Sequence, residues 1–143
     1  MKVGAAVKAV ILNSGLGKRM GEETKNKPKC MVEIAPQQTI VSRQIKQLIK
    51  YGIDEFIITT GPFANELQNY VGTVFPHLKV TYVPNPRYAS TNYIYSLFLA
   101  KEYLTGEFLL LHGDLVFADD VLAKTLQSSH PNTVLVNRKA ALP

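Results

Sequence analysis

Short apolar runs rich in β-branched residues alternate along this chain with segments of helical periodicity, and that alternation limits the fold more than any other feature. Lys8–Asn13 (KAVILN) is the first run, and it ends in Ser14 and Gly15 as a buried parallel strand does when it enters a functional loop. Residues 14–29, with Gly15, Gly17, Gly21, Pro28 and alternating charges, are too broken for a helix and too polar for a core strand. They predict a long exposed loop. In Ile40–Lys50 the residues Ile40, Val41, Ile45, Leu48 and Ile49 recur at helical spacing, and Gly52 supplies a stop. Glu55–Thr60 (EFIITT) predicts a second buried strand, followed by a helix from 63 to about 71.

Residues 79–83 predict a third strand closed by the turn Pro84, Asn85, Pro86. Ser90, Thr91 and Asn92 then offer caps for a helix with Ile94, Leu97, Phe98 and Lys101 on one side, ended at Gly106. Residues 107–112 (EFLLLH) are the most apolar strand candidate, Asp119 and Asp120 suit a helix N-terminus, and residues 133–136 begin a fifth strand. The expected fold is α/β: a Rossmann-like three-layer α/β/α arrangement with a mainly parallel sheet, right-handed crossovers and ligands at the carboxyl ends of the strands. Residues 1–143 read as one domain whose last strand has no closing helix, so the sheet is expected to be interrupted at its carboxyl end. An open sheet edge of that kind can pair with a second copy, which makes a homo-oligomer one expected state.

Composition narrows the partners. With 46% hydrophobic and 19% charged residues, the chain is an ordinary globular one. The net charge is +5, and Lys18, Arg19, Lys25, Lys27 and Lys29 crowd into one short segment. A local cationic cluster fits a small anionic ligand; a nucleic-acid partner is not expected, because there is no extended basic stripe interleaved with aromatic platforms. Cys30 is the single cysteine, which excludes an internal disulfide framework and a Cys-rich zinc site and predicts a cytoplasmic location. No apolar run approaches the roughly 20 residues that span a bilayer, so no membrane partner is expected.

Leu12, Asn13, Ser14, Gly15, Leu16, Gly17, Lys18, Arg19 and Met20 follow the first strand directly. Glycines let backbone N–H groups approach phosphate oxygens, and Lys and Arg neutralise phosphate charge, Arg with a two-pronged geometry. The same residues also suit a plain tight turn with solvated charges. A dinucleotide fingerprint needs glycine where Met20 stands, and a Walker loop needs Ser or Thr where Arg19 follows Lys18, so both motifs fail. What remains is a strand, then Gly15-x-Gly17-x-Arg19-Met20, then Lys27-Pro28-Lys29 before Met31-Val32-Glu33. In this combination the chain resembles the nucleotidyltransferase superfamily, which includes sugar-1-phosphate nucleotidylyltransferases and choline-phosphate cytidylyltransferases of the bacterial type.

The resemblance implies that Gly15 and Gly17 wrap a triphosphate, that Arg19 stabilises the leaving pyrophosphate, and that Lys29 contacts phosphates at the reacting centre. It makes Arg19 and Lys29 the catalytic candidates, with Leu12, Asn13, Ser14, Gly15, Gly17 and Lys18 as nucleotide-binding candidates. Asn13 and Ser14 replace a small alanine pair common in the superfamily. Residues 88–97 (YASTNYIYSL) resemble the helix-start segment of the choline-phosphate cytidylyltransferase branch, where small and amide side chains face base and ribose, so Thr91 and Asn92 join the candidates.

Asp114 follows the apolar strand through Gly113, so its carboxylate should emerge where α/β sites collect ligands. That position suits Mg²⁺, which takes one or two carboxylates together with phosphates and waters, and the matching aspartate of the superfamily binds catalytic magnesium. A second acid common nearby is replaced here by Val116. Asp119 and Asp120 are read as helix-start charges, and His112 and Cys30 as structural. The activity implied is magnesium-dependent transfer of a nucleoside monophosphate from a nucleoside triphosphate to a small phosphorylated acceptor, phosphocholine or a sugar-1-phosphate. The resemblance covers only the amino-terminal part of the usual domain. A non-catalytic nucleotide-binding fragment or regulatory module is therefore the other reading.

Overall fold

The computed structural model describes residues 7–136. In chain order its elements are β1 (Lys8–Asn13), β2 (Glu33–Ala35), β3 (Gln38–Thr39), α1 (Ile40–Lys50), β4 (Glu55–Thr60), α2 (Ala64–Val74), β5 (Lys79–Pro84), α3 (Tyr93–Leu99), β6 (Phe108–His112) and α4 (Asp119–Leu126). The main sheet has the order β5-β4-β1-β6 and every pairing in it is parallel. β1 is inside, with Ile11 opposite Ile58 on one side and Leu111 on the other.

The period-2 alternation of the strands divides the core into two layers. Ala9 and Ile11 of β1 and Phe56 and Ile58 of β4 face a layer built from Val41, Ile45 and Leu48 of α1, Leu67 and Val71 of α2, and Leu122 of α4. Val10, Leu12, Ile57 and Val83 face Ala100 and Leu97 at α3. Helices therefore cover both faces, and the three-layer α/β/α expectation holds.

α1 illustrates why the local sequence commits to helix. Thr39 caps it reciprocally: its hydroxyl accepts from the Ser42 amide at 3.1 Å, while the Ser42 hydroxyl accepts from the Thr39 amide at 3.0 Å. Val41, Ile45 and Leu48 then recur at three- and four-residue spacing and are all fully buried. The Tyr51 and Gly52 amides close the last turn on the Leu48 and Ile49 carbonyls, at 3.0 and 2.9 Å.

The structure departs from the sequence reading in four places, the first being that the helix read as ending at Gly106 stops at Leu99 and is followed by a 3-10 turn at Lys101–Tyr103. The loop over 14–29 contains 3-10 turns at Lys18–Thr24 and, at its end, Lys29–Met31, and it leads into the small antiparallel β2–β3 hairpin that the apolar pattern does not signal. The second helix runs to Val74. Residues 133–136 do not form the expected fifth strand; they have no regular structure and Val134 is 85% exposed. β-branched residues make a strand only with a ladder partner, and β6 is the sheet edge among the described residues. Residues 137–143 lie outside the described part. No described helix is long and apolar enough to cross a membrane.

Candidate active site

The chain winds from β1 to β4 and β5 on one side, then returns to place β6 on the other side of β1. This reversal leaves a crevice at the carboxyl ends of β1 and β6, the position where open α/β sheets bind ligands. A cleft of about 670 Å³, counting its open mouth, lies there. Leu12, Asn13, Ser14, Gly15, Gly17, Lys29, Thr91, Asn92 and Asp114 line it. Nine of the eleven residues singled out in the sequence thus meet at one place. Lys18 and Arg19 lie in the first 3-10 turn; Arg19 does not line the cleft, and its side chain is exposed and adjacent to the cleft in sequence only.

One wall is glycine-rich. Gly17 has φ of 64°, in the left-handed region open to glycine, and its carbonyl is bound by the Met20 amide at 3.0 Å and by the buried Thr24 hydroxyl at 2.9 Å. The loop is therefore held from beneath. Across from it, Lys29 Nζ donates to Asp114 Oδ2 at 2.6 Å. That ammonium hydrogen bond is the main reason the Asp114 carboxyl sits below its ordinary pKa; burial opposes it. A lowered carboxyl pKa contributes stability above the ordinary value and loses it as pH falls through the lowered one, so the pair is intact at neutral pH. Cys30 beside it is different: burial pushes its thiol up to about 12, which leaves no thiolate for chemistry and supports the structural reading.

The opposite wall is a buried hydroxyl and amide network. Ser14 Oγ contacts Thr59 Oγ1 at 3.3 Å and also Ser96 Oγ of α3. Asn85 Nδ2 reaches both Ser96 Oγ and Thr91 Oγ1 at 3.0 Å, and Thr91 Oγ1 donates to the Arg87 carbonyl at 2.7 Å. Asn92 caps α3, its Oδ1 accepting from the Ile94 amide at 3.1 Å, so its capping role is realised and its NH₂ group is what remains for a ligand. Tyr88, Tyr93 and His112 complete this side, with the Tyr93 and His112 rings edge to face at 5.0 Å.

Sequence reasoning missed Asn85, Ser96, Thr59 and Gly113. Asn85 was legible only as a turn residue, although a 3% exposed amide just after a strand must bond inward. Ser96 is the small polar residue in an otherwise aromatic and aliphatic helix, a signal that was present. Gly113 is required by close approach: a Cβ there would lie 1.5 Å from Asn13 Oδ1 and 2.8 Å from the Leu12 carbonyl oxygen. Asn13 Nδ2 is buried without a partner among the described residues, a donor that solvent or ligand would satisfy. Gly113→Ala should destabilise the protein by about 1–3 kcal/mol in urea unfolding. Adding Asn13→Ala should recover part of that loss; simple additivity would show that the two residues do not compete for the same space.

Comparison with known proteins agrees with this geometry. Residues 9–141 match the family described as MobA-like NTP transferase domain. A CMP-5'-(3-aminopropyl)phosphonate synthase from Streptomyces rubellomurinus is 31% identical over 132 residues, covering 92% of this chain and 21% of that protein. A choline-phosphate cytidylyltransferase from Streptococcus pneumoniae is 36% identical over 115 residues, covering 78% of this chain and 46% of that protein. Among solved structures, the inositol-1-phosphate CTP transferase from T. maritima superposes with a TM-score of 0.73 at 28% identity, over 89% of this chain and 51% of that one. The chain thus spans about half or less of the length of these relatives. It belongs to the MobA-like NTP transferase domain family.

Proposed function

We propose that this chain is the nucleotide-binding part of a magnesium-dependent nucleotidyltransferase, which joins a nucleoside monophosphate to a small phosphorylated acceptor and releases pyrophosphate. The observation that carries the reading is the convergence of the Gly15–Gly17 loop, Lys29 and Asp114 in one cleft at the switch point of the sheet. The loop amides and Lys29 suit the triphosphate. The Ser14, Asn85, Thr91 and Asn92 wall suits base and ribose. The names of the relatives favour cytidine triphosphate as donor and phosphocholine or another phosphorylated small molecule as acceptor.

A phosphate-monoester acceptor is already a nucleophilic anion near neutral pH, so the reaction needs alignment and charge neutralisation more than a base. The acceptor oxygen forms a bond to the α-phosphorus while the bond from that phosphorus to the bridging oxygen of the β-phosphate breaks, and pyrophosphate carries away the electron pair. Lys29 lies where it can exchange its bond to Asp114 for one to a phosphate oxygen. Arg19, exposed on the glycine loop, is assigned to the leaving pyrophosphate through the resemblance.

The donor set can be tested against the metal. No group of three or more His, Cys, Asp and Glu side chains occurs among the described residues, which argues against a closed protein cage. One carboxylate facing a phosphate site is a donor set that Mg²⁺ accepts, completed by waters and substrate oxygens. Asp114 would hold it. When bound, the ion would neutralise phosphate charge and help to orient the donor. The single free cysteine, buried, fits a cytoplasmic setting.

Because the relatives extend to roughly twice this length or more, binding and chemistry need not reside in the same stretch of chain. Pyrophosphate release measured with four nucleoside triphosphates against phosphocholine and several sugar-1-phosphates, alongside a binding titration, separates an enzyme from a binding module. The expected result is triphosphate binding with little or no pyrophosphate release by this chain, and release by a longer chain that includes the region the relatives add. Release by this chain at the longer chain's rate would contradict that separation. Asp114→Asn should weaken triphosphate binding in Mg²⁺ about tenfold or more, and much less in its absence. Equal loss under both conditions would remove Asp114 from the metal role.

A further inference from the structure

We propose that Gln44, in the middle of α1, is a positioning residue for this site: it ties both ends of the turn that carries Asp114 and so holds that carboxylate beside Lys29. The inference rests on the function proposed above. Gln44 is 1% exposed, next to the apolar face of α1. A polar group that deep is costly unless bonded. Gln44 Nε2 donates to the His112 carbonyl and to the Leu115 carbonyl, both at 2.9 Å. Two carbonyl acceptors fix the orientation of the amide, because only its NH₂ end can serve them.

Gly113 and Asp114 lie between those two carbonyls. The turn's other bonds run from the Gly113 amide to the Leu12 carbonyl at 3.0 Å and from the Leu115 amide to the His112 carbonyl at 3.3 Å. It is therefore held by β1 on one side and by Gln44 on the other. The same helix is tied to the lysine: the Val32 amide bonds the Lys29 carbonyl and the Ile40 amide bonds the Val32 carbonyl, both at 3.1 Å. α1 thus connects both members of the Lys29–Asp114 pair through short hydrogen-bonded links.

Gln44 Oε1 is buried without a partner among the described residues. A side chain selected for packing alone would avoid that cost, as a methionine of similar volume does. Arg43 Nη2 bonds the Phe117 carbonyl at 3.1 Å, and Gln47 Nε2 bonds the Phe117 carbonyl at 3.2 Å and Asp119 Oδ1 at 2.6 Å. These hold the later part of the segment, so Gln47 provides a control that is buried and bonded but does not touch the turn.

The test compares Gln44→Met, which keeps volume and removes the donors, with Gln44→Asn, which keeps the amide and shortens its reach, and with Gln47→Met. In the ligand-free full chain, hydrogen exchange of the Gly113 and Leu115 amides should accelerate about tenfold or more in both Gln44 variants and not in Gln47→Met. The gain in cytidine triphosphate affinity on adding Mg²⁺ should fall about tenfold or more in the Gln44 variants, the size typical of losing support for a metal ligand, with metal-free affinity little changed. If Gln44→Met fails to fold, Gln44→Asn decides. Unchanged exchange, or faster exchange with the Mg²⁺ gain intact, overturns the proposal. A parent chain without Mg²⁺-dependent triphosphate binding overturns the functional reading instead, and the exchange rates still decide whether Gln44 holds the turn.

Discussion

β1 has hydrogen-bonded neighbours on both edges and apolar layers on both faces, so Ala9, Val10 and Ile11 are fully removed from water. Everything else is placed relative to that strand. Its pairing with β4 and β6 sets the point where the winding of the sheet reverses, and the reversal opens the crevice. Its last residue, Asn13, then fills the space beside Gly113 so closely that no side chain fits there, which brings the ends of β1 and β6 together. The cleft is a consequence of how tightly the central strand is held.

Charge is distributed across the crevice in a way that suits an anionic ligand with a distinct polar end. Lys29 and Asp114 neutralise each other in the ligand-free protein, so the lysine is kept in place without a strong uncompensated field. The exposure of both partners keeps such a pair weak, and weak pairs exchange readily for phosphate or metal contacts. The hydroxyl and amide wall is the opposite case: Thr59, Ser14, Ser96 and Asn85 are each under a tenth exposed and satisfy one another. Buried networks of this kind favour one arrangement of the side chains that line the cleft.

Much of the fold was legible because its determinants are local. The continuous apolar runs of β1 and β4 and the helical stripe of α1 place the boundaries of those three elements correctly, since burial and hydrogen bonding there agree with the sequence pattern. Val134 to Val136 show the limit: the same β-branched composition makes no strand without a neighbour to pair with. In the site, glycines and charges at fixed spacing made the Gly15–Gly17 loop, Lys29 and Asp114 visible. Gln44, Asn85 and Ser96 were not, because their roles depend on which carbonyl or hydroxyl the fold brings near them, over separations such as the 68 residues between Gln44 and His112.

The central claim is that one cleft at the carboxyl ends of β1 and β6 receives a nucleoside triphosphate. Two-dimensional NMR of the isotope-labelled chain titrated with cytidine triphosphate and Mg²⁺ tests it most directly. The account predicts saturable shifts concentrated at the amides of Asn13, Gly15, Gly17, Lys29, Thr91, Asn92 and Asp114, with the amino ends of the strands unaffected. Shifts confined to the basic segment around Lys25 and Lys27 and abolished by moderate salt, or no saturable shift at all, would contradict it.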